Sequence, residues 1–417
     1  MSKRNVSQLS EKDLRGKVVF VRVDFNVPHM GETITDDNRI VAAVPTIVDL
    51  INKGARLILA SHLGKIDFKK EPEEIEKAKA KSDLSIVVED LRENLVKALG
   101  HEVNVSFSKD TRGAELKEAV ASLKDGDVLV MQNTRYEKGE TKNDPELSAE
   151  WASLCDVYVN DAFGSDHRKH ASTYGIPEIL AREGKPTAVG YLVQKEIQGL
   201  GRCVDCPEDG RPYIAVLGGA KVSDKILVIE SLLKKCDTII VGGAMAYTFY
   251  RARGEQVGLS AVEEDQIEYA KKIYASGKIV LPVDNIATDK FPEDDDQVGI
   301  PVPWNQIPED KMALDIGPKS AELFAKIIAT AKTIFWNGPV GVSEFKGFAA
   351  GTEAICRACA ANTQAFTVIG GGDSAAAAKK LGFADRFSHV STGGGASLEL
   401  IQNDGHLPGI DIIEDAE

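Results

Sequence analysis

The chain has 417 residues, of which 43% are hydrophobic and 27% charged, enough apolar material for two or three packed domains without disulfide or metal staples. Lys and Arg number 50 against 64 Asp and Glu, giving a net charge of −14, which argues against a surface built to coat nucleic acid or an anionic membrane. A small anion is not excluded, because local cations outweigh a distant excess that salt screens beyond about 8–10 Å.

The opening MSKRNVSQLSEKDL lacks the apolar core of a secretory signal, and PGIDIIEDAE carries no targeting or lipidation motif. With no run of about 18 apolar residues either, the expectation is a cytoplasmic protein. KVVFVRVD (17–24), RLILAS (56–61), DVLVMQN (127–133) and DVYVND (156–161) read as buried strands, apolar, β-branched and bounded by turn residues. Ile40–Leu50, Val88–Leu99 and Leu116–Leu123 place apolar residues at helical spacing between them. Segment 65–83 is nearly all charge and predicts a solvated loop or surface helix. PTAVGYLVQKEIQGLGR (186–202) predicts a single helix, followed by the exit turn CVDCPEDGRP. The strand rhythm then restarts in PYIAVLGG, DTIIVGG, KIVLPVD, KTIFWNG, AFTVIGGG and RFSHVSTGGG. This alternation means parallel sheets covered by helices on both faces. The acidic PEDDDQ (292–297) lacks the glycine and terminal glutamate of a calcium loop and reads as a solvated turn. Cys203/Cys206 and Cys356/Cys359 have metal-like spacing, but burial is the common fate of reduced cysteine, and core positions are the better reading.

The two halves end their strands differently. In the first, strands run into Asp24, Asn26, His62, Lys65 and Arg135, with Arg22, Arg39, Arg168 and His170 close by. One edge of a parallel sheet thereby collects arginines and imidazoles, which suits a compact polyanion. In the second half, strands run into glycine clusters that open helices, IGGGDSAAAAKKL and STGGGASLELI, plus LGGAKVSDK with Lys221 and Lys225. Glycine lets main-chain N–H groups approach an anion, and the helix dipole favours negative charge there. Walker and dinucleotide fingerprints are both missing. Residues 1–190 carry 28 Lys and Arg against 32 Asp and Glu, whereas residues 191–417 carry 22 against 32.

RVDFNVP (22–28), SHLG (61–64), VNDAFG (159–164), LGGAKVSDK (217–225), WNGPVG (336–341), GGGDS (370–374) and STGGGASLE (391–399) together resemble the phosphoglycerate kinase family, in order along nearly the whole chain. The resemblance implies an α/β fold of two Rossmann-like three-layer domains with parallel sheets. On that resemblance residues 1–186 would form the phosphoglycerate-binding domain, to which about 404–417 would return. Residues 187–205 would be the interdomain helix and hinge, and 206–403 the nucleotide-binding domain. It implies phosphoryl transfer between 1,3-bisphosphoglycerate and Mg-ADP, giving 3-phosphoglycerate and Mg-ATP, in a monomer that closes on its ligands. Arg22, Asp24, Phe25, Asn26, Arg39, His62, Leu63, Gly64, Lys65, Arg135, Arg168 and His170 match substrate positions. Gly219, Ala220, Lys225, Ala313, Asn337, Glu344, Gly371, Gly372, Asp373 and Ser374 match nucleotide positions, with Asp373 also the magnesium contact. Arg39, Lys221, Gly394 and Gly395 match the groups that steady the moving phosphoryl.

The acceptor in the reverse direction is a carboxylate already ionised at neutral pH, so positioning and charge neutralisation are needed and a general base is not. A nicotinamide-dependent oxidoreductase lacks its fingerprint and leaves the arginines unexplained. A silent nucleotide-binding scaffold has no reason to keep Arg39, Lys221 and Asp373. Five positions depart from the family pattern. Lys65 replaces an arginine, which predicts a weaker hold on substrate, and Ala313 replaces a frequent glycine. Ser343 replaces a phenylalanine beside Glu344. Asp166 and Lys169 replace small residues, and their opposite charges are expected to cancel.

Overall fold

The computed structural model describes residues 2–416. The chain forms two compact units, one of residues up to Ile197 together with those from His406 onward, the other of Gln198–Gly405. The division falls within the helix Tyr191–Val204.

The first unit contains β1 (Val18–Val23), the hairpin strands β2 (His29–Met30) and β3 (Thr33–Ile34), β4 (Arg56–Ala60), β5 (Val105–Ser108), β6 (Val128–Met131), β7 (Val157–Asp161) and β8 (Thr187–Val189). Six of these make one sheet in the order β5-β6-β4-β1-β7-β8, every neighbouring pair parallel. Alternation along β1 sends Val19, Val21 and Val23 into a core with Leu57 and Leu59 of β4. Helices Asn38–Asn52 and Val88–Leu99 cover that face through Ile40, Ile47, Leu50, Leu91 and Leu95. Phe20 points to the opposite face, with ring centroids 6.2 Å from Tyr158 and 6.5 Å from Trp151. By the same period of two, Arg22 follows Phe20 to that face at the strand's C-terminal end.

The second unit contains β9 (Tyr213–Leu217), β10 (Thr238–Val241), β11 (Ile279–Val280), β12 (Asp284–Thr288), β13 (Ile300–Pro303), β14 (Met312–Ile316), β15 (Thr333–Asn337), β16 (Phe366–Gly370) and β17 (His389–Ser391). Its parallel sheet runs β11-β10-β9-β15-β16-β17. The chain therefore winds outward from β9 and restarts at β15 on the other side. A crevice opens where the winding reverses, and ligands of doubly wound sheets bind there. Two Rossmann-like units with parallel sheets are thus present, as the alternating sequence pattern implies.

Three details differ from the sequence reading. Thr187–Val189 is the edge strand β8, so the helix expected over 186–202 begins only at Tyr191. The apolar period continues across the junction, and Gly190 is the only local mark of a break. Val105–Ser108 is a strand too polar to be noticed. KIVLPVD supplies only the short β11 before entering β12, the middle of an antiparallel trio β13-β12-β14. The charged stretch contains the helix Pro72–Lys81, which buries nothing, and Glu293–Asp296 are exposed. Cys203, Cys356 and Cys359 are buried and Cys206 is half-buried, all as free thiols.

Candidate active site

In the first unit the polar strand ends form one connected network. Arg22, only 1% exposed, donates from Nε to Ser172 Oγ at 2.8 Å and from Nη2 to His62 Nδ1 at 3.0 Å. A guanidinium only donates, so His62 Nδ1 accepts and the imidazole proton lies on Nε2. Behind them, buried Glu140 accepts from Ser172 N and Oγ at 2.8 and 2.7 Å. Arg39 Nη1 lies 2.9 Å from both oxygens of Asp24. Asn26 Oδ1 accepts from Gly64 N at 2.8 Å, while Arg135 Nη1 donates to Gly64 O at 2.9 Å. Asn133 holds this turn from below, its Nδ2 donating to the carbonyls of Leu63 and Ser82. Phe25 N donates to Ser61 Oγ, which fixes the turn after β1.

The electrostatics follow from burial and from concentrated positive charge. Burial holds His62 well below its ordinary imidazole value, and Arg22, Arg135, Arg39 and His170 push the same way. Burial also brings His170 down to about 4, although Glu140 opposes it. Both imidazoles are neutral at pH 7 and offer hydrogen bonds without adding charge. Arg135 Nε is buried with no partner among the described residues, a donor suited to an anion's oxygen. Arg168 and Lys65 are exposed.

In the second unit the site surrounds the ends of β9, β15 and β16. Lys225 Nζ donates to Gly218 O and Asn337 Oδ1, each at 2.5 Å. Burial brings its ammonium down to about 8, against the opposing pull of Asp224 and Asp373. Asn337 Nδ2 donates in turn to Gly370 O. Gly218 is required by contact, since a Cβ there would lie 1.9 Å from Pro339 O. Helix Gly372–Lys380 begins directly after β16, presenting Gly372 and Asp373 at its exposed first turn. Ser374 is buried, its Oγ accepting from Gly338 N at 2.8 Å. Gly394, at φ +53°, turns the chain into helix Gly395–Gln402. A cavity of about 460 Å³ lies beside Asp373, lined also by Pro339, Ser343, Glu344, Thr352 and Lys380.

Comparison with known proteins decides the family. Residues 9–404 match the family model described as phosphoglycerate kinase. The chain belongs to the phosphoglycerate kinase family. The phosphoglycerate kinase of Enterococcus faecalis is 50% identical over 421 residues, covering all of both chains, and that of Fusobacterium nucleatum is 50% identical, covering 97% of this chain and 98% of the other. The solved phosphoglycerate kinase of Coxiella burnetii is 34% identical with a TM-score of 0.83, covering 99% of both chains. That of Pyrococcus horikoshii is 30% identical with a TM-score of 0.76 and 96% coverage of each.

Of the phosphoglycerate kinase positions matched by motif, Arg22, Arg39, Arg135 and His170 are all close enough to act on the charge of His62. Lys221 and Ala220 are exposed, Gly219 lies against the Lys225 ammonium, and Ala313 is buried in β14 with its N–H donated to Ser260 Oγ. Gly371 is followed by the first helical residue, Gly372, and Glu344 is exposed at the cavity rim. The supporting residues Asn133, Glu140 and Asp315 escaped sequence reasoning. Burial pushes the Asp315 carboxyl up to about 8, and it accepts from Gly351 N at 2.9 Å. The expectation for Asp166 and Lys169 is corrected: Asp166 is fully buried, whereas Lys169 is exposed over the Tyr174 ring, 4.7 Å from its centroid. A buried carboxyl held largely neutral by burial and an exposed ammonium do not cancel.

Proposed function

We propose that the chain catalyses reversible phosphoryl transfer between 1,3-bisphosphoglycerate and Mg-ADP, giving 3-phosphoglycerate and Mg-ATP, as a monomeric cytoplasmic enzyme. The carrying observation is the cationic network of the first unit, in which Arg22 and Arg135 act on two neutral imidazoles, His62 and His170, and Arg39 on the first of them. A compact acid bearing a phosphate and a carboxylate matches that set, with Asn26, Asp24 and the His62 Nε2 proton fixing its hydroxyl and orientation. Phe25, Leu63 and Gly64 shape the turns, while buried His170 adds a donor within the network and exposed Arg168 and Lys65 add donors at the rim.

The second unit supplies the nucleotide's partners. A cavity of about 460 Å³ is large enough to take part of a nucleotide, with Glu344 toward the ribose. Lys225 meets the phosphates beside Gly219, Ala220, Asn337, Gly371 and Gly372, and Ser374 fixes the turn behind them. Among the described residues no cluster of three or more His, Cys, Asp or Glu could hold a metal alone. A single exposed carboxylate at a helix start fits Mg2+ that arrives with the nucleotide, since that ion keeps waters and phosphate oxygens as its other ligands. Asp373 would hold it, and the ion would neutralise phosphate charge.

The incoming carboxylate needs no proton removed, so the chain's work is orientation, exclusion of water and stabilisation of charge on the transferred group. Arg39 acts from the first unit, and Lys221 with the amides of Gly394 and Gly395 from the second. A coupled assay with 3-phosphoglycerate and Mg-ATP tests this. Wild type should turn over, and Lys221→Ala should lower kcat by about 100- to 1,000-fold. Equal rates would remove Lys221 from the mechanism.

A further inference from the structure

Phosphoryl transfer as derived above gives Asp166 no task. It lies two residues before Arg168 and is fully buried. Its Oδ1 accepts from Asn160 Nδ2 at 2.7 Å, and the same Nδ2 lies 2.9 Å from Gly409 O. The main-chain oxygen of Asp166 accepts from Gly409 N at 2.9 Å. The approach is so close that a Cβ on residue 409 would lie 2.4 Å from Asp166 Oδ1. Asp166 thereby joins two stretches of chain, directly through its main-chain oxygen and indirectly through the Asn160 amide that its carboxyl holds: the turn that carries Arg168 and His170, and the segment after His406 that returns to this unit.

The joint is incompletely satisfied. Asp166 Oδ2 is buried and has no hydrogen-bond partner among the described residues. Such an atom is tolerable in a neutral carboxyl and costly in a carboxylate. The charged groups acting on it are Arg22 of β1, Asp24 in the turn after β1 and Asp161 of β7, with the Tyr158 hydroxyl also on β7. Burial leads, Asn160 and Arg22 oppose it, the two aspartates reinforce it, and the net effect raises the Asp166 carboxyl to about 8.

We propose that Asp166 is a positioning residue: its neutral carboxyl, by holding Asn160 against Gly409, steadies the joint between residues 406–416 and the Arg168–His170 turn, and its ionisation loosens that turn and weakens the hold on the phosphorylated acid. The idea rests on the phosphoglycerate reading of the first unit and adds a pH-dependent control to it. Below pH 8 the clamp is intact. Above it, a buried charge with one unpartnered oxygen favours opening of the joint.

The test compares wild type with Asp166→Asn, which keeps an oxygen for Asn160 and cannot ionise. The kcat and KM for 3-phosphoglycerate are measured from pH 7 to 9.5 under saturating Mg-ATP. Wild-type KM should rise about two- to thirtyfold more than that of the variant across this range, with kcat alike in both. Gly409→Ala should raise KM already at pH 7. Parallel KM profiles in two active enzymes would overturn the positioning role and leave the phosphoglycerate reading standing. Absence of turnover by wild type would overturn both. Should Asp166→Asn fail to fold, hydrogen exchange on wild type decides. After correction for intrinsic rates, the Gly409 and Ile410 amides should lose protection between pH 7 and 9.5 while those of β1 and β4 keep it; retained protection would overturn the clamp.

Discussion

Arg22 is a charged residue held almost entirely out of water, and its partners explain how. Ser172 and the Val23 carbonyl take two of its donors, and His62 takes a third as a neutral acceptor. Among the described residues no carboxylate bonds to it directly, which leaves its positive charge available to an anionic ligand. Lys65 is the opposite case, exposed on the turn beside Arg135's contact with Gly64. An ammonium there offers point-like charge where a guanidinium offers a planar fork. Lys65→Arg should therefore lower the KM for 3-phosphoglycerate by about two- to tenfold with little change in kcat; an unchanged KM would show that this position does not touch the acid. The arginines were legible in the sequence because a parallel sheet gathers its strand ends along one edge. Asn133 and Glu140 were not, because the Leu63 and Ser172 groups they hold are brought to them by the fold, 70 and 32 positions away in the chain.

At the scale of elements, the start of the helix Tyr191–Val204 depends on a carboxylate from the neighbouring strand. Asp161 Oδ1 at the end of β7 accepts from Leu192 N at 3.0 Å and Val193 N at 3.4 Å, and Tyr191 N donates to Thr46 Oγ1. Gly190 permits the approach, since a Cβ there would lie 2.1 Å from Asp161 Oδ1. Burial raises the Asp161 carboxyl to about 7 despite hydrogen bonds from Thr46, Val193 and Leu192. A folded-state value above the unfolded one means that folding retains a proton which the unfolded chain releases first. Stability from this group is therefore full below about pH 4 and is lost as pH rises to about 7. Asp161→Asn should flatten the dependence of urea-unfolding free energy on pH between 4 and 7.5, by a few kcal/mol at most. An identical slope in the variant would assign the titration elsewhere. The cap also explains why the strand-to-helix break at 189–191 was hard to see: its decisive partner is not local, and hydrophobic periodicity alone runs straight through.

For the whole molecule, the average charge of −14 conceals where the cations are. The groups proposed for the acid and those proposed for the nucleotide belong to different compact units, so on that reading neither unit alone holds all the groups the reaction needs. Small-angle scattering should show a smaller radius of gyration with 3-phosphoglycerate and Mg-nucleotide together than with either alone; no compaction with both would count against a closing motion. The contrast between polar and glycine-rich strand ends was readable in the sequence, because both patterns arise from what each sheet edge presents, and it is what motivates the proposed division of labour. The antiparallel trio β13-β12-β14 was not, since it interrupts the β–α rhythm on which that reading relied.

The first unit is also discontinuous in the chain. Arg4 N donates to Glu414 O, Val189 N donates to Arg4 O, and Lys3 pairs with Asp415, so two distant stretches share the β8 edge. During synthesis, residues 406–416 leave the ribosome only after all of Gln198–Gly405 has been made. The second unit is continuous and can fold while still being translated, whereas the first must wait, with the contacts that Lys3, Arg4 and Thr187 make to Glu414 and Asp415 still unmade, for roughly 10–40 s at ordinary elongation rates. That interval is when chaperones have access to the nascent first unit, and it ends when the Gly409 turn docks on Asp166.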